Sequence, residues 1–360
     1  MESGSYFLRI LITGVCGFVG SVLAKHLRNA LPAVDIVGLD NLMRKGSERN
    51  VESLCSLGVT FVRGDLRCAS DLAGLPATDW VIDAAAMPSI LAGLSADSSS
   101  QQVVEHNLIG SLNLLEYCRR HASGLILLST SRVYSIHALS QLALTESDVS
   151  FCVSQELRHP GISYRGIDES FSTSAPVSIY GATKLASETM AAEYGEAFGF
   201  PVFINRCGVL AGAGQFGRLD QGIFSYWINS HFNRKPLRYL GFQGNGKQVR
   251  DCLHPTDLAQ LIVLQIQSND RNKPRVCHVS GGVNSAISLK ELTTWCDGRF
   301  GSHRVNSSNE VRPYDLPWVV LDASRAEQVW GWKPSISREE ILNEIASHAV
   351  ENPRWLEFTS

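Results

Sequence analysis

Residues 8–13 form a short, continuous apolar run rich in β-branched side chains, and residues 18–29 repeat their apolar positions at helical spacing. The same order recurs along the first half of the chain. Buried-strand runs lie at 34–39, 60–62, 80–84, 125–129 and 202–205, and helical patterns at 103–120 and 177–197. Runs that are apolar throughout suit strands covered on both faces. Strands alternating with helices therefore predict an α/β fold, a doubly wound parallel sheet. Residues 135–176 show no clear period and are long for a connection, so a lid or pocket wall is expected there. From residue 208 onward, Gly-rich turns interrupt short elements, as in a smaller mixed lobe packed over the carboxyl end of the sheet. The expected division is 1–207 and, mainly, 208–360, with the chain returning to the first unit around 250–280.

Composition narrows the class. With 360 residues, 44% hydrophobic and 19% charged, the chain reads as a globular protein with a large core. A net charge of −3 gives no reason to expect nucleic acid or an anionic membrane as partner. Nine cysteines without C-x-x-C spacing argue against a disulfide framework or a zinc site and for a reducing, cytoplasmic setting. The ten histidines form no H-E-x-x-H cluster, so no metal is expected.

Gly14-Val15-Cys16-Gly17-Phe18-Val19-Gly20 follows the first strand and opens the first helix. Small residues there let backbone N–H groups approach a pyrophosphate at a helix N-terminus, although a ligand-free turn shares the pattern. The spacing is G-x-x-G-x-x-G, a loose match to the common dinucleotide fingerprint. Asp40 ends the second strand, where a carboxylate can accept both ribose hydroxyls and repel a 2′-phosphate, favouring NAD over NADP. Arg44 and Lys45 nearby weaken that preference. Asp65, before Leu66, either faces the adenine or caps a helix.

Tyr180 and Lys184, four residues apart on a predicted helix, project from one face. A phenol titrates near pH ~10, and an ammonium group beside it favours the phenolate, so the pair can move a proton while a cofactor moves a hydride. Ser129-Thr130-Ser131 lies at the carboxyl end of the fifth strand, where open α/β sheets place ligands.

Together these features resemble an extended short-chain dehydrogenase/reductase of the branch that modifies nucleotide-diphosphate sugars, with a Rossmann-type sheet. The resemblance covers nearly the whole chain. It implies Thr130, Tyr180 and Lys184 as catalytic residues, with Lys184 also holding the nicotinamide ribose. It also implies NAD contacts from Gly14, Gly17, Phe18, Val19, Gly20, Asp40, Asn41, Asp65, Leu66, Ala84 and Ala85, and a homodimer. Asn41-Leu42 with Arg44-Lys45-Gly46, Asp168-Glu169-Ser170, Gln215-Phe216 with Asp220-Gln221-Gly222, and Gly244–Asp251 followed by Leu253-His254 are similar to the CDP-tyvelose (CDP-paratose 2-) epimerases. On that likeness Arg250 and Arg312 hold the diphosphate of a nucleotide sugar, a CDP-hexose favoured, and Ser131, Gln215, Gln221 and Gln248 line the substrate site.

Several positions depart from the pattern: Asp83-Ala84-Ala85-Ala86 ends strand four, Met87-Pro88-Ser89 follows, Ser131-Arg132 replaces the subgroup's Asn-Lys, and Leu316-Pro317 replaces a polar pair. Ser131 bears on the reaction. Relatives that dehydrate the sugar carry an Asp-Glu pair after the catalytic Thr, because eliminating water needs an acid and a base. Ser131 and Arg132 cannot supply them, whereas redox epimerisation needs neither. The expectation is NAD-dependent epimerisation, at C2 of a CDP-hexose on the subgroup likeness; a UDP-sugar C4-epimerase or a net reductase are the alternatives. Cys207 is expected as an inert buried thiol, and His254 either touches nucleotide or is structural.

Overall fold

The structure is a computed structural model describing residues 7–91, 93–94, 99–154, 156–157, 159–218, 221–268, 270 and 273–359. Seven parallel strands form the main sheet: β1 Arg9–Thr13, β2 Asp35–Asp40, β3 Thr60–Arg63, β4 Trp80–Asp83, β5 Gly124–Thr130, β6 Val202–Cys207 and β7 Val276–Val279, in the order β7-β6-β5-β4-β1-β2-β3. Alternate side chains enter opposite cores. Ile10, Ile12, Ile126 and Leu128 pack with the helices Phe18–Ala30 and Pro255–Ile266. Leu11, Leu125 and Leu127 pack on the other face with Leu114, Tyr117 and Ala191 from the helices Gly110–His121 and Ser178–Phe198. Each such Leu or Ile, fully buried, contributes about 1.5–3 kcal/mol. The doubly wound sheet expected from the continuous apolar runs is the observed one.

Three local features differ from the pattern reading. The strand Val276–Val279 has no counterpart among the predicted runs, because its sequence contains His278. The helix expected over 103–120 is broken into Ser100–Val104 and Gly110–His121 by a wide turn over Glu105–Ile109. Residues 135–176 do not lid the cavity: among the described residues none of them lines it. Instead Leu139, Leu142, Ile162, Ile167 and Phe171 build a separate core with Trp318 and Leu321 of the C-terminal region.

A smaller mixed sheet lies beyond β6. Val249–Leu253 pairs in parallel with Val209–Leu210 and Trp318–Val319, and antiparallel with Ala286–Ser288. The helix Pro255–Ile266 and β7 then return to the main sheet.

Candidate active site

One continuous cavity of about 1030 Å³ runs along the carboxyl ends of β1, β2, β4, β5 and β6. That is at the upper end of the ~300–1,000 Å³ of ligand pockets. Every cofactor, catalytic and substrate candidate named above from the sequence lines it. Asp220, part of one motif, lies outside the described residues.

At one end sits the glycine turn. Gly14 has φ of +61°, and a Cβ there would lie 2.9 Å from the Ala85 Cα. A Cβ on Gly20 would overlap the Gly14 carbonyl, so only glycine lets the helix start this close to β1. Gly17 is the N-cap of the helix Phe18–Ala30, whose first N–H groups are open to an anion. Asp40 accepts from the Cys16 N–H at 2.9 Å and the Leu42 N–H at 2.8 Å. Burial pushes its carboxyl up, and these N–H donors oppose that. The fixed carboxylate keeps lone pairs for ribose hydroxyls. Asp65 caps no helix, since the following helix Ala69–Ala73 has Cys68 at its N-cap. Its carboxylate accepts from Arg67 at 2.7 Å and Asn41 at 3.1 Å, and Arg67 holds it well below the usual carboxylate range. Ala84 and Ala85 are positioned by Thr13, whose hydroxyl donates to Asp83 at 2.8 Å and accepts the Ala85 N–H at 3.2 Å. A cradle that a Cβ would fill, beside an acidic strand end, fits a dinucleotide.

At the centre, Tyr180 and Lys184 project from the helix Ser178–Phe198 toward Thr130 at the end of β5. Both are buried, at 6% and 2% exposure. Burial pushes the Tyr180 phenol up to about 12, opposed by a hydrogen bond with Thr130 and by the Arg132 guanidinium. Arg132 is thus a second cation beside the phenol, in addition to the Lys184 expected from the sequence. Cys207 lines the cavity with its thiol pushed up to about 12 by burial, the inert state expected. His254 is structural: it accepts the Thr256 N–H at the start of the helix Pro255–Ile266 and pairs with Glu344 at 3.0 Å.

The substrate candidates occupy the far end. Arg250 pairs with Asp315 at 3.3 Å, and Gln248 donates to the same carboxylate at 3.3 Å. Gln215 donates to the Leu210 carbonyl at 2.7 Å. Three buried polar atoms here have no partner among the described residues: Gln215 Oε1, Gln248 Oε1 and Arg132 Nη1. Burial and the nearby Arg250 and Arg312 pull the Arg132 guanidinium down to about 9, against Asp315 and Tyr180. A guanidinium stays protonated at neutral pH, so the shift measures a charge the protein itself compensates poorly.

Residues not picked out from the sequence hold these groups in place. The Asn107 side chain, on the wide turn, accepts the Met87 N–H at 2.7 Å and donates to the Thr183 hydroxyl at 3.3 Å, tying the loop after β4 to the helix that carries Tyr180. Wide turns of this kind often mark functional sites. Below Thr130, Glu188 accepts from Ser129 and from Arg206 at 2.6 Å. Arg206 donates to the Tyr134 hydroxyl at 3.0 Å, which meets His278 Nε2.

Comparison with known proteins decides the family. The NAD dependent epimerase/dehydratase family matches residues 10–280. The chain belongs to that family. This epimerase/dehydratase-family enzyme is 30% identical to the CDP-paratose 2-epimerase of Salmonella typhi over 348 residues, 94% of this chain and 98% of that one. It is 25% identical to the UDP-glucuronate 4-epimerase of Thermodesulfobacterium geofontis, over 95% and 96% of the two chains. The fold matches a Bacillus cereus UDP-glucuronic acid 4-epimerase solved with UDP-glucuronic acid and NAD, at a TM-score of 0.75 and 24% identity, covering 96% of this chain and 99% of that one. The enzyme is thus NAD-dependent and acts in nucleotide-sugar chemistry. Among the described residues no helix is long and apolar enough to cross a membrane.

Proposed function

We propose that this enzyme epimerises a nucleotide-diphosphate sugar at C2, with a CDP-hexose as the favoured substrate. The observation that carries the reading is the pair after Thr130. Ser131 and Arg132 line the cavity there, and neither is a carboxylate. A dehydratase needs an acid–base pair at the sugar, and an internal redox epimerase does not. The likeness to a CDP-paratose 2-epimerase supports the base and the carbon.

In this mechanism Gly14, Gly17 and Gly20 let the helix N-terminus meet the cofactor pyrophosphate, and Asp40 accepts the adenosine ribose hydroxyls. NAD supplies the acceptor for the hydride leaving the ring carbon and the donor that returns it to the other face. Tyr180, as phenolate, takes the hydroxyl proton while the carbon is oxidised, and gives it back on reduction. Thr130 and Arg132 favour that phenolate against burial. Lys184 holds the nicotinamide ribose. Arg250 and Arg312 hold the diphosphate, and Gln215, Gln221, Gln248 and Ser131 bind the rest of the nucleotide sugar.

The test is a substrate panel. Purified enzyme incubated with CDP-, UDP-, GDP- and dTDP-hexoses is followed by NMR for epimer formation. A CDP-hexose inverted at C2, with no net change in NADH absorbance, is expected. Inversion at C4 of a UDP-sugar, or stoichiometric NADH consumption, would replace this reading with the C4-epimerase or the reductase.

A further inference from the structure

Arg132 stands within the reaction centre. Its backbone N–H donates to the Thr130 hydroxyl at 3.2 Å, and its carbonyl oxygen lies against Gly181, next to Tyr180. The main chain is therefore pinned to both the strand and the helix that carry the proton-handling groups. The side chain reaches into the cavity shared with Arg250 and Arg312, and its Nη1 is buried with no partner among the described residues. A buried guanidinium N–H without a partner is costly, and an anionic ligand relieves that cost.

Charge decides which anion. Arg132, Arg250 and Arg312 lie near one another at this end of the cavity, with the Asp315 carboxylate beside Arg250. Clustered guanidiniums suit the oxygens of a diphosphate, which their planar forks can bind two at a time. Position decides the carbon. In a sugar joined through C1 to the diphosphate, the C2 hydroxyl neighbours the phosphate, whereas the C4 hydroxyl points away across the ring. A phosphate cradle that extends to the residue beside Thr130 and Tyr180 suits reaction next to the anomeric carbon.

We propose that Arg132 completes a three-arginine diphosphate cradle and binds the phosphate on the sugar side, which sets C2 of the sugar against Tyr180. The inference rests on the nucleotide-sugar reading above and adds the residue that sets its position.

The test uses the NAD-loaded enzyme carrying Tyr180→Phe, so that ligands bind without turnover. Calorimetry compares CDP-glucose with CMP, which lacks the sugar-side phosphate. Arg132→Met added to this background is expected to weaken CDP-glucose by about tenfold to a hundredfold, the range of a charged hydrogen bond, and to leave CMP within about twofold. Arg132→Lys should recover part of the loss. Unchanged CDP-glucose binding, or an equal loss for CMP, would overturn the assignment; so would a loss confined to UDP-glucuronate, which would place Arg132 on a sugar carboxylate. With Tyr180 restored, inversion at C4 would overturn the placement while leaving the nucleotide-sugar reading intact. If the Tyr180→Phe parent bound none of CDP-, UDP-, GDP- or dTDP-glucose, the nucleotide-sugar reading itself would fall, and this inference with it.

Discussion

Gly181 packs against the carbonyl oxygen of Arg132 so closely that a Cβ on Gly181 would overlap that oxygen. This contact sets how deeply the helix Ser178–Phe198 sits against the end of β5, and so the approach of Tyr180 to Thr130. Gly181→Ala should push the helix outward. Overpacking of this kind costs about 1–3 kcal/mol, and a displacement of about 1 Å at a reacting group lowers turnover about a hundredfold. Initial rates and urea unfolding check both; a fully active Gly181→Ala enzyme would contradict the role given to the contact.

The Thr130 hydroxyl favours the phenolate of Tyr180. Removing it by Thr130→Val should raise the Tyr180 pKa further, because one hydrogen bond to the phenolate is lost. The rising limb of the rate profile should move to higher pH, and the rate at each pH along it should fall by about tenfold to a hundredfold, because a smaller fraction of phenolate exists there. Single-turnover rates across pH 6–10 measure it. Rates unchanged at every pH would separate Thr130 from the titration of Tyr180.

His278 is neutral in the fold. Arg206 donates to the Tyr134 hydroxyl, that hydroxyl meets Nε2, and Nδ1 lies 3.2 Å from the Asp322 carbonyl, which assigns the Nδ1–H tautomer. Burial and Arg206 pull the imidazole down to about 3 from its ordinary 6.5. Between those values the unfolded chain binds a proton that the folded chain does not. Stability therefore rises with pH across this window, is fully present above about pH 6.5, and is lost as pH falls toward 3, at up to ~1.4 kcal/mol per unit. Thermal melting between pH 4 and 7 should show a shallower acid slope for His278→Gln; an identical slope would contradict the assignment.

Glu188 and Arg206 form an ion pair at 2.6 Å with both side chains almost fully buried. Glu188→Gln strands the guanidinium and should cost about 3–5 kcal/mol, whereas Glu188→Met with Arg206→Met removes both charges and should recover much of the loss. Denaturant unfolding of the two variants distinguishes a required pair from two independent residues.

The sheet and the residues that line the cavity from one end to the other were legible in the sequence because they depend on local chemistry. Strands covered on both faces must be apolar throughout, and a turn as tight as that at Gly14 and Gly20 needs glycine. What escaped depends on partners distant in sequence. Val276–Val279 carries a histidine that only Tyr134 and the Asp322 carbonyl make tolerable in a core strand. Asp315, which balances Arg250, lies 65 residues beyond it. Trp355 stacks on Phe216 at 5.7 Å and donates to the Gln215 carbonyl at 2.8 Å, bracing the substrate loop from the C-terminal end. Arg132 was visible only as a departure from related sequences, since the burial of its Nη1 requires the fold.

On the proposed function, the hydride taken from the sugar returns to the same carbon without leaving the site. The direct measurement is epimerisation of the nucleotide sugar in heavy water, with deuterium at the inverted carbon read by NMR. Internal hydride return predicts a fully inverted product with no solvent deuterium at that carbon, and no turnover with Tyr180→Phe. Deuterium at the inverted carbon would contradict the account and replace hydride transfer with proton abstraction.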